Sequence, residues 1–171
     1  MKKIIVLLFF VLLLTACTPK GEVNLVHGVD TVEVFGSHDL MGCVVTIDEV
    51  DYQMSIVSNS IDLDTIGEYL VEYSYEDGNR DYVCQRVVFV VDQTSPILTL
   101  LPGRNTIYTN ETWIDGGVEV ADNYDQELAV EIIENTLDIT TPGTYQVTYQ
   151  ATDDSGNTSQ ITRFVHVLES D

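Results

Sequence analysis

The chain repeats itself. Displaced by 75 to 78 positions, its two halves coincide over most of their length. Val23-Asn24-Leu25 falls on Leu98-Thr99-Leu100, Gly28 with Thr31-Val32 on Gly103 with Thr106-Ile107, and Met54 and Ile56 on Val130 and Ile132. The strongest stretch sets Thr65-Ile66-Gly67-Glu68-Tyr69-Leu70-Val71-Glu72-Tyr73 against Thr141-Pro142-Gly143-Thr144-Tyr145-Gln146-Val147-Thr148-Tyr149, and Arg86 then meets Arg163. Self-similarity at a long fixed period is the mark of one structural unit built twice, so the fold must divide into two similar parts.

Within each copy the apolar period is two. Tyr145, Val147, Tyr149 and Ala151 alternate with Gln146, Thr148, Gln150 and Thr152, as Tyr69, Val71, Tyr73 and Tyr75 alternate with Leu70, Glu72, Ser74 and Glu76. Such alternation is that of half-buried antiparallel strands. After the N-terminal region no stretch carries a 3.6-residue apolar stripe. Short strands punctuated by Gly, Asn, Asp and Pro predict an all-β protein with one antiparallel β-sandwich in each half. The Gly-x-Tyr opening at Gly67 and Gly143 looks like the tyrosine corner of these sandwiches, in which a tyrosine hydroxyl bonds to upstream backbone.

Composition narrows the function classes. Of 171 residues, 44% are apolar and 20% charged, the balance of a chain that packs. Its 28 Asp and Glu against 7 Lys and Arg leave a net charge of −21, a field that repels phosphate backbones and argues against nucleic-acid partners.

The N-terminus reads as an address. Lys2 and Lys3 precede an apolar run from Ile4 to Leu14, the parts of an export signal, and the run is too short to span a bilayer. Leu14-Thr15-Ala16-Cys17 resembles the bacterial lipobox. That resemblance implies cleavage before Cys17 and a diacylglycerol on its thiol. The expected organisation is a lipoprotein signal peptide at 1–16, a lipidated tether at 17–21, a first domain at 22–92 and a second at 93–171. The alternative is an ordinary secretory peptide with an incidental Cys17. An acyl anchor needs no basic residues, and an acidic body is repelled from an anionic leaflet, so the body would stand off the membrane.

Setting Cys17 aside leaves Cys43 and Cys84, an even number in an exported chain, for which a disulfide is the simple expectation and two free thiols the alternative. The repeat sharpens this. Cys43 registers with Val118 and Cys84 with Ile161, so the first copy would replace an apolar pair by a staple, a common remedy in a small core.

In the second copy, Asp92-Gln93-Thr94-Ser95-Pro96-Ile97, Trp113-Ile114-Asp115-Gly116-Gly117, Ala121-Asp122-Asn123-Tyr124-Asp125, Gly143-Thr144-Tyr145, Ala151-Thr152-Asp153-Asp154-Ser155-Gly156-Asn157 and Arg163-Phe164-Val165-His166-Val167 follow one another. In these residues it resembles the bacterial immunoglobulin-like domains related to hyalin repeats. The resemblance implies a spacer, adhesion or ligand-binding module of the cell surface and no catalysis. The first copy lacks the Ala-x-Asp-x-x-Asp stretch and shortens the later turn to Glu76-Asp77-Gly78-Asn79, so its membership rests on the repeat.

The most chemical-looking residues are the acidic loops of the second copy. An immunoglobulin-like topology gathers Asp122 and Asp125, Asp153 and Asp154, and the connecting residue Asp92 at one end, where hard oxygens could hold calcium. Asp, Asn and Gly are equally the turn formers such loops require, and no contiguous EF-hand loop is present. Catalysis finds no support. His27, His38 and His166 are far apart in sequence, and neither HExxH, GxSxG nor a phosphate-cradling glycine loop occurs. Trp113, the only tryptophan, could anchor a glycan or a partner, or pack over its own domain. The expectation is a lipid-anchored protein on the extracytoplasmic face of the membrane, touching a surface protein or a glycan. Its rivals are an accessory subunit of an envelope complex and a surface hydrolase with an unrecognised acidic site.

Overall fold

The computed structural model describes residues 21–170, all strand, turn and connection with no helix among them. The signal peptide, Cys17 and the tether up to Lys20 lie outside the described residues. Gly21 already belongs to the first strand, where a Cβ would come within 2.8 Å of the Tyr82 ring.

Thirteen strands follow one another among the described residues. The first seven are β1 (Gly21–Leu25), β2 (Thr31–Glu33), β3 (Cys43–Ile47), β4 (Val50–Gln53), β5 (Ser55–Asn59), β6 (Gly67–Asp77) and β7 (Arg80–Val91). The rest are β8 (Ile97–Leu100), β9 (Thr106–Tyr108), β10 (Val118–Ala121), β11 (Val130–Asn135), β12 (Gly143–Thr152) and β13 (Thr158–Leu168). They form sheets in the orders β1-β3-β4, β2-β7-β6-β5, β10-β8 and β11-β12-β13-β9. All-β sheets in this arrangement make an immunoglobulin-like β-sandwich.

Strand register recurs at the repeat spacing. Leu25 opposes Cys43 as Leu100 opposes Val118, and Val23 opposes Val45 as Leu98 opposes Val120. Short β2 runs parallel to β7, pairing Thr31 with Phe89, as short β9 runs parallel to β13, pairing Thr106 with His166. Even the irregularity is shared: the ladder shifts after Ile56 opposite Tyr73 and after Ile132 opposite Tyr149. A bulge of this kind bends one strand and increases its twist.

The described chain divides into two compact units. One holds the described residues up to Val29 with Asp39–Ser60 and Leu70–Val87. Its interior contains Val45, Val71 and Tyr73, and Cys43 and Cys84 are joined there by a disulfide. The other holds Asp30–His38, Ile61–Tyr69 and the described residues from Val88 onward. It has two apolar clusters. Val32, Val34, Val88 and Val90 form one, with Ile61, Leu63 and Tyr69 against it. Ile107, Val165 and Val167 form the other, with Trp113, Leu137 and Tyr145 against it. Trp113 thus packs on its own unit, and its indole N–H donates to the Arg104 carbonyl at 2.7 Å.

Both Gly-x-Tyr openings close as tyrosine corners. The Tyr69 hydroxyl donates to the Thr65 carbonyl at 2.7 Å and the Tyr145 hydroxyl to the Thr141 carbonyl at 2.9 Å. Gly143 makes room for the return of the ring, since a Cβ there would sit 3.2 Å from the Tyr145 hydroxyl.

Candidate functional site

Three connections of the second unit bring four carboxylates together. Asp92 follows β7, Asp122 and Asp125 follow β10, and Asp153 follows β12. One carboxylate oxygen from each lies within 4.8 Å of the others. Strand pairing causes this convergence. β10 leaves its pairing with β8 at Ala121 opposite Ile97, and β12 ends at Thr152 opposite Thr158, so the acidic segments begin where the ladders stop.

Each loop is closed by its own acid. Asp122 Oδ1 accepts from the backbone N–H of Tyr124 at 2.9 Å and of Asp125 at 3.0 Å. Asp153 Oδ1 accepts from the Asn157 backbone at 2.7 Å, and its Oδ2 from the Asn157 side chain at 2.8 Å. Gly156, at φ 96°, turns the chain where an L side chain would be strained. Asp92 Oδ1 accepts from the Thr94 backbone at 3.0 Å, and the Asn157 side-chain amide donates to the Asp92 carbonyl at 3.2 Å. Glu33 adds a further brace, accepting from the Thr94 hydroxyl at 2.7 Å.

Turn formation leaves two acceptors over. Asp92 Oδ2 and Asp122 Oδ2 are buried and accept no well-formed hydrogen bond from the described residues. Asp92 itself is 5% exposed. Burial pushes its carboxyl above the ordinary aspartate value, and the charges of Asp122 and Asp153 push the same way, against the Thr94 N–H and the nearby Asn123 side chain. Asp154 stands differently: its backbone N–H donates to Asp125 Oδ2 at 2.9 Å, while its own side chain is exposed and outside the group of four.

The sequence reading did not single out the two buried arginines, Arg86 and Arg163, each 2% exposed. Arg86 Nη2 donates to the Val26 carbonyl. Arg163 donates through Nη2 to the carbonyls of Leu101 at 2.7 Å and Gly117 at 3.0 Å, and through Nη1 to Asn105 Oδ1 at 3.0 Å. Their coincidence in the repeat was the available signal. Its meaning is structural, since each guanidinium donates to backbone carbonyls just outside a strand end, Val26 after β1 for Arg86, and Leu101 after β8 and Gly117 before β10 for Arg163. His166 is exposed on β13, with Nδ1 3.0 Å from the Thr144 hydroxyl.

Sandwich sheets and a tyrosine corner define an immunoglobulin-like module in the second half of the chain. Residues 101–167 match the family model described as "Bacterial surface protein, Ig-like domain". Over 61% of its length the chain is also 34% identical to an "Uncharacterized 81.3 kDa protein" of Acholeplasma phage L2. The match spans about 15% of that protein.

Proposed function

We propose that this is an exported, lipid-anchored protein of the extracytoplasmic face, acting without catalysis as a spacer and ligand-binding module. The observation that carries the reading is the match of residues 101–167 to a surface immunoglobulin-like domain. Its companion is the N-terminal sequence: Lys2, Lys3, the Ile4–Leu14 run and Leu14-Thr15-Ala16-Cys17 are what export and acylation at Cys17 require. The recurrent register supports reading residues 22–92 and 93–171 as tandem copies of one module. A chain this acidic is held away from anionic lipid headgroups, which favours presentation of its outer loops to a surface protein or glycan.

Metabolic labelling with a fatty-acid analogue in a bacterial host, combined with protease treatment of intact cells, tests the reading. The full chain should be labelled and cleaved from outside, and Cys17→Ser should abolish the label. An unlabelled, protease-resistant protein in the cytosolic fraction would overturn it. Labelled protein shielded from protease until the envelope is disrupted would instead identify a docked subunit of an envelope complex.

A further inference from the structure

We propose that Asp92, Asp122, Asp125 and Asp153 form a divalent-cation site and that calcium is the ion it takes. Turn chemistry explains Asp122 Oδ1 and both oxygens of Asp153, each engaged by donors of its own loop. It does not explain the second oxygen of Asp92. Following a strand and 5% exposed, Asp92 uses one oxygen on the Thr94 backbone and keeps the other buried without a well-formed hydrogen bond. Asp122 Oδ2 is left in the same condition. A buried carboxylate oxygen without a partner is unfavourable, and its neighbours here are further carboxylates, which worsen the imbalance. A cation reverses both effects at once.

The chemistry selects the ion. The group offers only carboxylate oxygens, with no imidazole or thiolate to favour zinc. Calcium takes oxygen ligands at about 2.3–2.6 Å, so ligands on opposite sides of the ion stand about 5 Å apart. The four oxygens found here, all within 4.8 Å of one another, have that spread. Magnesium needs a tighter octahedron and retains its waters, which suits four protein carboxylates from three separate segments poorly. Bound calcium would fasten the segment after β7 to the loops after β10 and β12, all within the second unit. Binding by the purified protein is independent of where the protein is displayed, so this inference and the surface assignment fail separately.

The test uses the full chain, solubilised in detergent and stripped with a chelator. Calcium itself is the probe, titrated by calorimetry and by thermal melting, with magnesium in parallel. The expected dissociation constant is about 0.1–1 mM, the range of extracellular calcium modules, with a higher melting temperature in calcium and little response to magnesium. Asp92→Asn keeps an oxygen for the Thr94 N–H, and should weaken calcium binding tenfold or more while melting no lower than wild type in chelator. Asp122→Asn provides the same reading if Asp92→Asn misfolds. Asp154→Asn, outside the group, should bind within about twofold of wild type. Unchanged melting and no binding heat at about 10 mM calcium would overturn the proposal. So would undiminished binding by a folded Asp92→Asn or Asp122→Asn protein, or equal affinity for magnesium.

Discussion

The Tyr149 hydroxyl donates to Asp115 across 34 residues of sequence, with both carboxylate oxygens at 2.6 Å. Asp115 Oδ1 also takes the Gly117 backbone N–H at 2.9 Å and lies 3.5 Å from Arg163 Nε. A buried strand tyrosine, a loop acid and a buried arginine thereby hold one another in place. Tyr149→Phe deletes the donor without changing the packed ring, and should lower stability by about 1–2 kcal/mol in chemical denaturation.

Alkaline pH tests the same contact. Burial, then the Asp115 hydrogen bond, raises the Tyr149 hydroxyl above its ordinary value of 10.0. A raised folded-state value means the contribution is complete below pH 10 and is lost as pH rises through that raised value. Wild type should therefore lose stability above pH 10 more steeply than Tyr149→Phe, measured by urea unfolding at stepped pH.

Acid pH tests the exposed pair of Arg104 and Glu111, whose atoms approach to 2.6 Å and 2.9 Å. The Arg104 hydrogen bond and the Tyr108 backbone N–H hold the Glu111 carboxyl below the ordinary glutamate value. Its contribution is present above about pH 4.5 and disappears as pH falls through the depressed value. Carboxyl titration by NMR should place Glu111 below ordinary glutamates, and Glu111→Gln should flatten the acid limb of the stability profile.

The tyrosine corners should each contribute one ordinary hydrogen bond. Tyr69→Phe and Tyr145→Phe each remove a donor to a carbonyl four residues upstream, at Thr65 and Thr141. Each should cost about 1 kcal/mol, read as a lower denaturation midpoint with an unchanged slope.

Cys43 and Cys84 close a loop of sequence separation 41. On the chain-entropy account, opening it costs about 4 kcal/mol. Alkylation of the native protein followed by mass spectrometry should find neither thiol, and Cys43→Ala with Cys84→Ala should lower the melting temperature by well over ten degrees, at roughly 4–8 °C per kcal/mol.

Gly116 is the tightest backbone approach near Arg163. A Cβ there would meet the Pro102 carbonyl oxygen at 2.6 Å, and backbone cannot rotate away as a side chain can. Gly116→Ala should cost about 1–3 kcal/mol, the usual penalty of overpacking.

Much of the architecture was legible because it is a matter of period. Alternation at Tyr145, Val147, Tyr149 and Ala151 assigns strand and inward face together, and burial of the last three follows it. The three-residue strands β2 and β9 were not legible, since three residues are too few to display a period, and parallel pairing with a distant strand leaves no local mark. In the acidic loops, residue type named the candidates, while geometry separated Asp153, inside the group of four, from its neighbour Asp154, outside it.

The amino-acid order alone determined that this chain is a sheet protein with cysteines at two inward positions. Those properties reside in spacing, which survives without coordinates. Only the tertiary structure decided that two charged arginines belong inside and that an aspartate following β7 keeps an oxygen buried without a well-formed hydrogen bond. Whether a polar group is buried and satisfied depends on which strand ends and carbonyls meet it in space, and those partners lie some 60 residues away in the chain, as Leu101 lies from Arg163.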